Sequence, residues 1–172
     1  MTTPKPVPGE KLAPMQFPQL SGGPLEVGGV RENWTLFVVY RGKHCPRYKA
    51  YLNTLDAMRD DWAAAGIDIA VVSADPAEKA QADLEEFGWH FPLGYGMTEE
   101  QMTTLGLYIS DPLSPDETDR RFAEPGVFVL WPDGTQFLVA ISNGPSARPD
   151  LAQLLDGMIF SQKMNRPPRG TV

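Results

Sequence analysis

The 172-residue chain holds a single cysteine, Cys45, so no internal disulfide can staple the fold. Histidine is almost as scarce. His44 and His90 are widely separated, and with one thiol they give none of the close ligand spacings of a metal site. No metal or other cofactor is expected. Positive charge is also in short supply: 15 Lys and Arg stand against 22 Asp and Glu, a net charge of −7. That balance argues against a nucleic-acid partner, because phosphates call for clustered Lys and Arg. No apolar run approaches the ~20 residues that span a bilayer, so no membrane partner is expected. Met1–Gly9 carries Pro4, Pro6 and Pro8 with no apolar stretch behind it, unlike a signal peptide. These absences lead to the expectation of a cytoplasmic protein.

What is present is enough for one core. Apolar residues make up 42% of the chain, ordinary for a soluble globular protein. A chain of this length fits a single domain. One domain over residues 1–172 is expected, with an extended lead over 1–12 and a polar tail over 165–172. The first thirty residues are rich in Pro and Gly, which leaves room only for short strand pieces near Met15–Phe17 and Leu25–Val27.

Trp34–Tyr40 is a continuous β-branched and aromatic run, the pattern of a strand covered on both faces. A helix is predicted from about Cys45-Pro46. Tyr48, Tyr51, Leu52, Leu55, Met58, Trp62 and Ala65 recur at spacings of three and four and mark its buried face. Gly66 ends it. Ile67–Val72 reads as a second buried strand. Ser73-Ala74-Asp75-Pro76 reads as the cap of a helix to about Phe87, with Glu78, Glu85 and Glu86 on its wet side. His90–Leu93 is a short extended piece, and Thr98 caps a helix over Glu99–Leu105. Ile109–Thr118 is read as a loop.

Val127–Trp131 and Gln136–Ile141 flank Pro132-Asp133-Gly134-Thr135, a strong hairpin signal. Pro149 and Asp150 open a last helix to about Met164. Strands joined through helices run parallel, and a hairpin adds antiparallel neighbours. The predicted fold is therefore α/β and thioredoxin-like: a central mixed β-sheet with helices on both faces.

Three segments carry a family likeness. Val38–Tyr48 (VVYRGKHCPRY) resembles the strand-to-helix junction F-Y-R-G-x-W-C-P-Y-C of peroxiredoxin-like proteins in the alkyl hydroperoxide reductase/thiol-specific antioxidant group. Val71–Asp75 resembles that group's I-S-x-D, and Val127–Gly134 its F-I-I-D-x-D-G hairpin. The three fall in the same order and cover roughly residues 10–160.

The chain departs from the pattern in three places. Val38 and Gly42 replace the family's Pro and Thr, so the hydroxyl that orients a peroxide is missing. The usual arginine before the late strand is absent from Phe122–Gly126, where Pro125 instead resembles the cis-proline that faces the active cysteine in thioredoxins. Tyr48 replaces a second cysteine, which rules out a disulfide within the motif.

A thiol at a helix N-terminus meets the positive end of the helix dipole and unpaired backbone N–H groups, which favour the nucleophilic thiolate. Arg41, Lys43 and Arg47 add positive charge. The other reading of Cys45 is a buried structural cysteine. Arg41 is either the replacement for the missing arginine or a solvated loop charge, and Arg120 and Arg121 are further candidates for that role. Tyr48 walls the pocket, donates a hydrogen bond or simply packs. His44 is expected at the rim, Gly42 leaves space for a small oxidant, and Pro46 and Pro125 complete the substrate surroundings. His90 is read as structural.

The resemblance implies a single-cysteine thiol peroxidase acting on hydrogen peroxide or small hydroperoxides through a Cys45 sulfenic acid. An external thiol reductant, glutathione or thioredoxin-like, would resolve it. A homodimer is compatible with this reading. The alternative is a thioredoxin-fold binding or scaffold domain whose redox activity has decayed.

Overall fold

A computed structural model describes residues 4–172, and residues 1–3 of the expected lead lie outside the described part. The central sheet is built on the apolar run Trp34–Val39 (β3). Ile67–Val72 (β4) pairs parallel to it, and Leu93–Gly94 (β5) pairs parallel to β4. On the other side, Gly126–Leu130 (β8) pairs antiparallel to β3, and Gln136–Ile141 (β9) closes the hairpin. The strand order is β5-β4-β3-β8-β9.

β3 divides its side chains between two cores, as the period-two pleat requires. Leu36 and Val38 face helices Arg47–Ala57 (α1), Arg59–Ala64 (α2), Ala77–Phe87 (α3) and Leu151–Lys163 (α5). Phe37 and Val39 face the opposite layer. That layer holds helix Glu99–Thr104 (α4) and two small antiparallel pairs. One is Met15–Phe17 (β1) with Leu25–Val27 (β2), the other Ile109–Ser110 (β6) with Phe122–Ala123 (β7). The sheet is thus mixed and covered on both faces, as expected. Among the described residues no helix is long and apolar enough to cross a membrane.

Local signals explain most boundaries. Thr98 and Gln101 form a reciprocal capping box on α4. The Asp150 carboxylate accepts the Gln153 N–H at 2.9 Å and caps α5. The lead is stitched down: Gly9 N donates to Gln136 O at 2.8 Å and Leu12 N to Gly134 O at 2.9 Å.

Four expectations need correction. The long first helix begins at Arg47, after Cys45 and Pro46, and breaks at Met58, whose N–H is shared between Thr54 O and Leu55 O. Ser73 and Asp75 do not cap α3; its N-cap is Pro76, without a side-chain bond. The loop expected from Ile109 begins as β6, which pairs with β7, a strand too short to leave a periodic signature. Finally, no described peptide bond is cis, so Glu124–Pro125 is trans. An X-Pro bond prefers trans by about 0.5–1 kcal/mol, and this one keeps that preference.

Phe37 sits at the centre of the second core, 5.8 Å from the rings of both Phe17 and Phe128. Phe37→Ala is expected to lower stability by about 3–5 kcal/mol, the usual cost of emptying a buried aromatic site. Urea unfolding followed by tryptophan fluorescence measures this.

Candidate functional site

The site forms where β3 ends. Tyr40 N still donates to Val72 O at 3.1 Å, and the chain then turns through residues 41–46 into α1. Gly42 has φ +127°, a region closed to most side chains, and a Cβ there would lie 2.6 Å from Asp75 Oδ1. The space beside Gly42 is therefore filled by Asp75 and is not a passage for an oxidant. Lys43 N donates to Asp75 Oδ2 at 2.7 Å, and Cys45 N closes a turn onto Gly42 O at 3.1 Å.

The Lys43 side chain reaches Asp83 at 3.3 Å and Glu86 at 3.1 Å, both on α3. In the first turn of α1, the Tyr48 hydroxyl donates to Asp83 Oδ1 at 2.8 Å, and its ring stacks on Tyr40 at 5.0 Å. Tyr48 thus packs and anchors the helix, its hydroxyl bonded to Asp83.

Burial pushes the Asp75 carboxyl above the usual range, although its bond from Lys43 N pulls the other way. Burial does the same to Asp83, opposed by Tyr48 and Lys43. Burial is likewise the main reason that the Tyr48 and Tyr40 hydroxyls are pushed well up.

Cys45 is 2% exposed and directly precedes Pro46, the N-cap of α1. Arg41 Nη1 approaches its Sγ to 3.5 Å. The same guanidinium sits 3.1 Å from Glu124 Oε2 and 3.9 Å from Glu117 Oε1. The Arg41 Nε–H is not aimed at Glu124, so that contact is a charge pair rather than a hydrogen bond. Arg41 also covers the Phe122 ring at 4.8 Å. His44 packs on the same ring at 4.5 Å, its two ring nitrogens buried and unbonded among the described residues. Burial, then the Arg41 charge, holds His44 below the usual imidazole range, so it stays neutral at pH 7.

The sequence therefore places Cys45, Arg41, Gly42, His44 and Tyr48 in one structural unit, with exposed Pro46 at the helix start. Pro125 is buried at the head of β8, and its carbonyl accepts Ser142 N at 3.1 Å. Arg120 and Arg121 are spent elsewhere: Arg120 pairs with Asp119 and Arg121 with Asp111 and Glu99. His90 is exposed and contacts Asp56 at 3.1 Å, away from the thiol.

Three groups escaped the sequence reading. Glu117 and Glu124 neutralise Arg41, and only the fold brings them to it. The third is Arg148, after β9. Its guanidinium lies over the Tyr51 ring at 4.7 Å and donates to Pro145 O, and burial pushes it down from the usual range.

The AhpC/TSA family profile matches residues 8–135. No curated protein matches the chain. Among solved structures, the chain is similar to a peroxiredoxin-like protein from Aquifex aeolicus, with a TM-score of 0.76 at 14% identity over 91% of this chain and 88% of that one. It is also similar to the peroxiredoxin 6 of Arenicola marina, with a TM-score of 0.78 at 16% identity over 94% and 76%. Peroxidoxin BcpB from Mycobacterium tuberculosis gives a TM-score of 0.66 at 15% identity over 93% and 98%. At these identities the likenesses show the thioredoxin-like fold.

The charge arrangement gives two substitutions of opposite sign. Arg41→Ala removes the cation beside the thiol and is expected to slow alkylation of Cys45 by iodoacetamide at pH 7. Glu124→Gln releases Arg41 from its counter-charge and is expected to speed it. Each change should be up to about tenfold, the effect of one nearby charge in a partly wet site. Equal rates in all three proteins would make Arg41 a bystander.

Proposed function

The chain belongs to the AhpC/TSA family, and on that footing we propose that it is a single-cysteine thiol peroxidase reducing hydrogen peroxide or small organic hydroperoxides. The observation that carries this reading is the 3.5 Å approach of Arg41 Nη1 to Cys45 Sγ at the opening of α1. A guanidinium and a helix N-terminus together favour the thiolate. The thiolate attacks one peroxide oxygen, the O–O bond breaks, and the distal oxygen leaves as hydroxide or alkoxide and takes a proton from solvent. Cys45 is left as the sulfenic acid.

Arg41 is the group placed to favour the leaving oxygen's charge. Gly42 offers no hydroxyl to assist. A preorganised donor of this kind is worth roughly 10²–10³ in rate, so the enzyme is expected to be slower than relatives that keep the threonine. No second cysteine exists in the chain. Return to the thiol therefore needs an external thiol reductant, glutathione or thioredoxin-like.

Reduced protein treated with a slight excess of hydrogen peroxide should gain one oxygen at Cys45. Dimedone should trap that state, and glutathione should reverse it. The rate should exceed that of free cysteine. An iodoacetamide-reactive Cys45 that peroxide oxidises no faster than free cysteine would leave the chain as a thioredoxin-fold binding domain.

A further inference from the structure

The last turns of α5 leave apolar side chains in water. Leu151, Leu154, Leu155 and Met158 bury one face of the helix. On the side away from them, Ile159, Phe160 and Met164 are 47%, 50% and 52% exposed. Lys163 lies four residues after Ile159 and three after Phe160, and so shares that side. Eight large apolar side chains are exposed among the described residues, and four of them fall within 159–172. Scattered singly such residues mean little, but gathered at one end of a molecule they mark an interaction surface.

The same stretch carries charge of one sign. Between Gly157 and Val172 stand Lys163, Arg166 and Arg169 and no Asp or Glu, in a chain of net charge −7. Among the described residues none of these three has a carboxylate within 4.0 Å. The helix end fixes one of them. Asn165 takes the left-handed conformation at φ 50°, Asn165 N donates to Gln162 O at 3.3 Å, and Arg166 N donates to Ser161 O at 3.0 Å. These two bonds turn the chain back over the last turn of the helix. The Arg166 guanidinium thereby lies over the Phe160 ring at 5.4 Å. Beside them runs a groove of about 410 Å³, walled by Pro8, Phe137, Val139, Phe160, Arg166 and Arg169.

A partner for this surface must offer negative charge and an apolar layer together. The interface of an anionic bilayer does so, with phosphates above and acyl chains below. We propose that the C-terminal end of α5 and the tail after it dock on an anionic phospholipid surface. Ile159, Phe160 and Met164 enter the acyl boundary, and Lys163, Arg166 and Arg169 meet the phosphates. No helix among the described residues is long and apolar enough to cross the bilayer, so the contact is with its surface alone. The acidic remainder of the chain is repelled by the same lipids, which orients the protein with this end inward.

The test is flotation of the full chain with vesicles of phosphatidylcholine alone, or of phosphatidylcholine with an equal part of phosphatidylglycerol. Partition onto the anionic vesicles should exceed that onto the neutral ones by roughly ten- to a hundredfold in low salt, the size of two or three cations at a charged surface, and should fall as salt rises. Phe160→Ser should weaken binding to the anionic vesicles by roughly tenfold through lost apolar insertion. Arg166→Glu combined with Arg169→Glu should remove the anionic preference. All three positions are exposed, and circular dichroism verifies that each variant keeps the fold. The thiol has no part in this measurement, so its outcome is independent of the peroxidase reading. Equal partition onto both vesicles, or an anionic preference untouched by these substitutions, overturns the proposal. So does an absence of vesicle binding, whether the patch instead holds a second copy in a Phe160-dependent dimer or retains a polyglutamate chain.

Discussion

The loop that carries the thiol is held by two buried carboxylates, and the geometry of the site depends on that grip. Asp75 takes the main-chain N–H of Lys43, while Asp83, fully shielded from solvent, takes its ammonium group and the Tyr48 hydroxyl. A buried carboxylate is costly unless it is bonded or paired, so the loop and the first turn of α1 are drawn to the one arrangement that supplies its partners. Gly42 fits this arrangement because its missing side chain lets Asp75 come close. Cys45 is thereby carried to the mouth of the helix by anchors on either side of it.

The second organising feature is the sharing of charge around the sulfur. Arg41 touches both the thiol and Glu124, so its cation is divided between them. Glu124 is itself held by the Ser110 hydroxyl at 2.6 Å, which ties β6 to the site. The cations of the loop are matched to different degrees: Arg41 is shared with the thiol, and Lys43 is matched on α3. An acidic protein with a net charge of −7 thus keeps one guanidinium against its only cysteine.

The sheet turns these contacts into a fixed geometry. Val39 pairs with Val72 on one side and Gly126 on the other, so the ends of β3 and β4 and the start of β8 lie abreast. The loops leaving or entering those ends bring Arg41, Asp75 and Glu124 together. A parallel β3–β4 pair places the C-terminal ends of both strands at the same edge, and the antiparallel β8 starts there.

Much of this was legible along the chain because it rests on near neighbours. The runs Trp34–Val39 and Ile67–Val72 read as buried strands. The Asp-Gly turn marked the β8–β9 hairpin, and Thr98 and Asp150 marked helix starts through side-chain oxygens that satisfy open N–H groups. Arg41 lies four residues before Cys45, and the approach of the two was foreseeable from the loop between them. Other features were settled only by tertiary packing. The β6–β7 pair, the diversion of Asp75 from capping α3 to holding Lys43, and the arrival of Glu117 and Glu124 at Arg41 all depend on contacts between distant segments. Periodicity and capping report what a residue does to the few next to it in sequence. Which buried charge meets which partner is decided when the sheet closes, because only then are the carboxylates withdrawn from water and obliged to find donors.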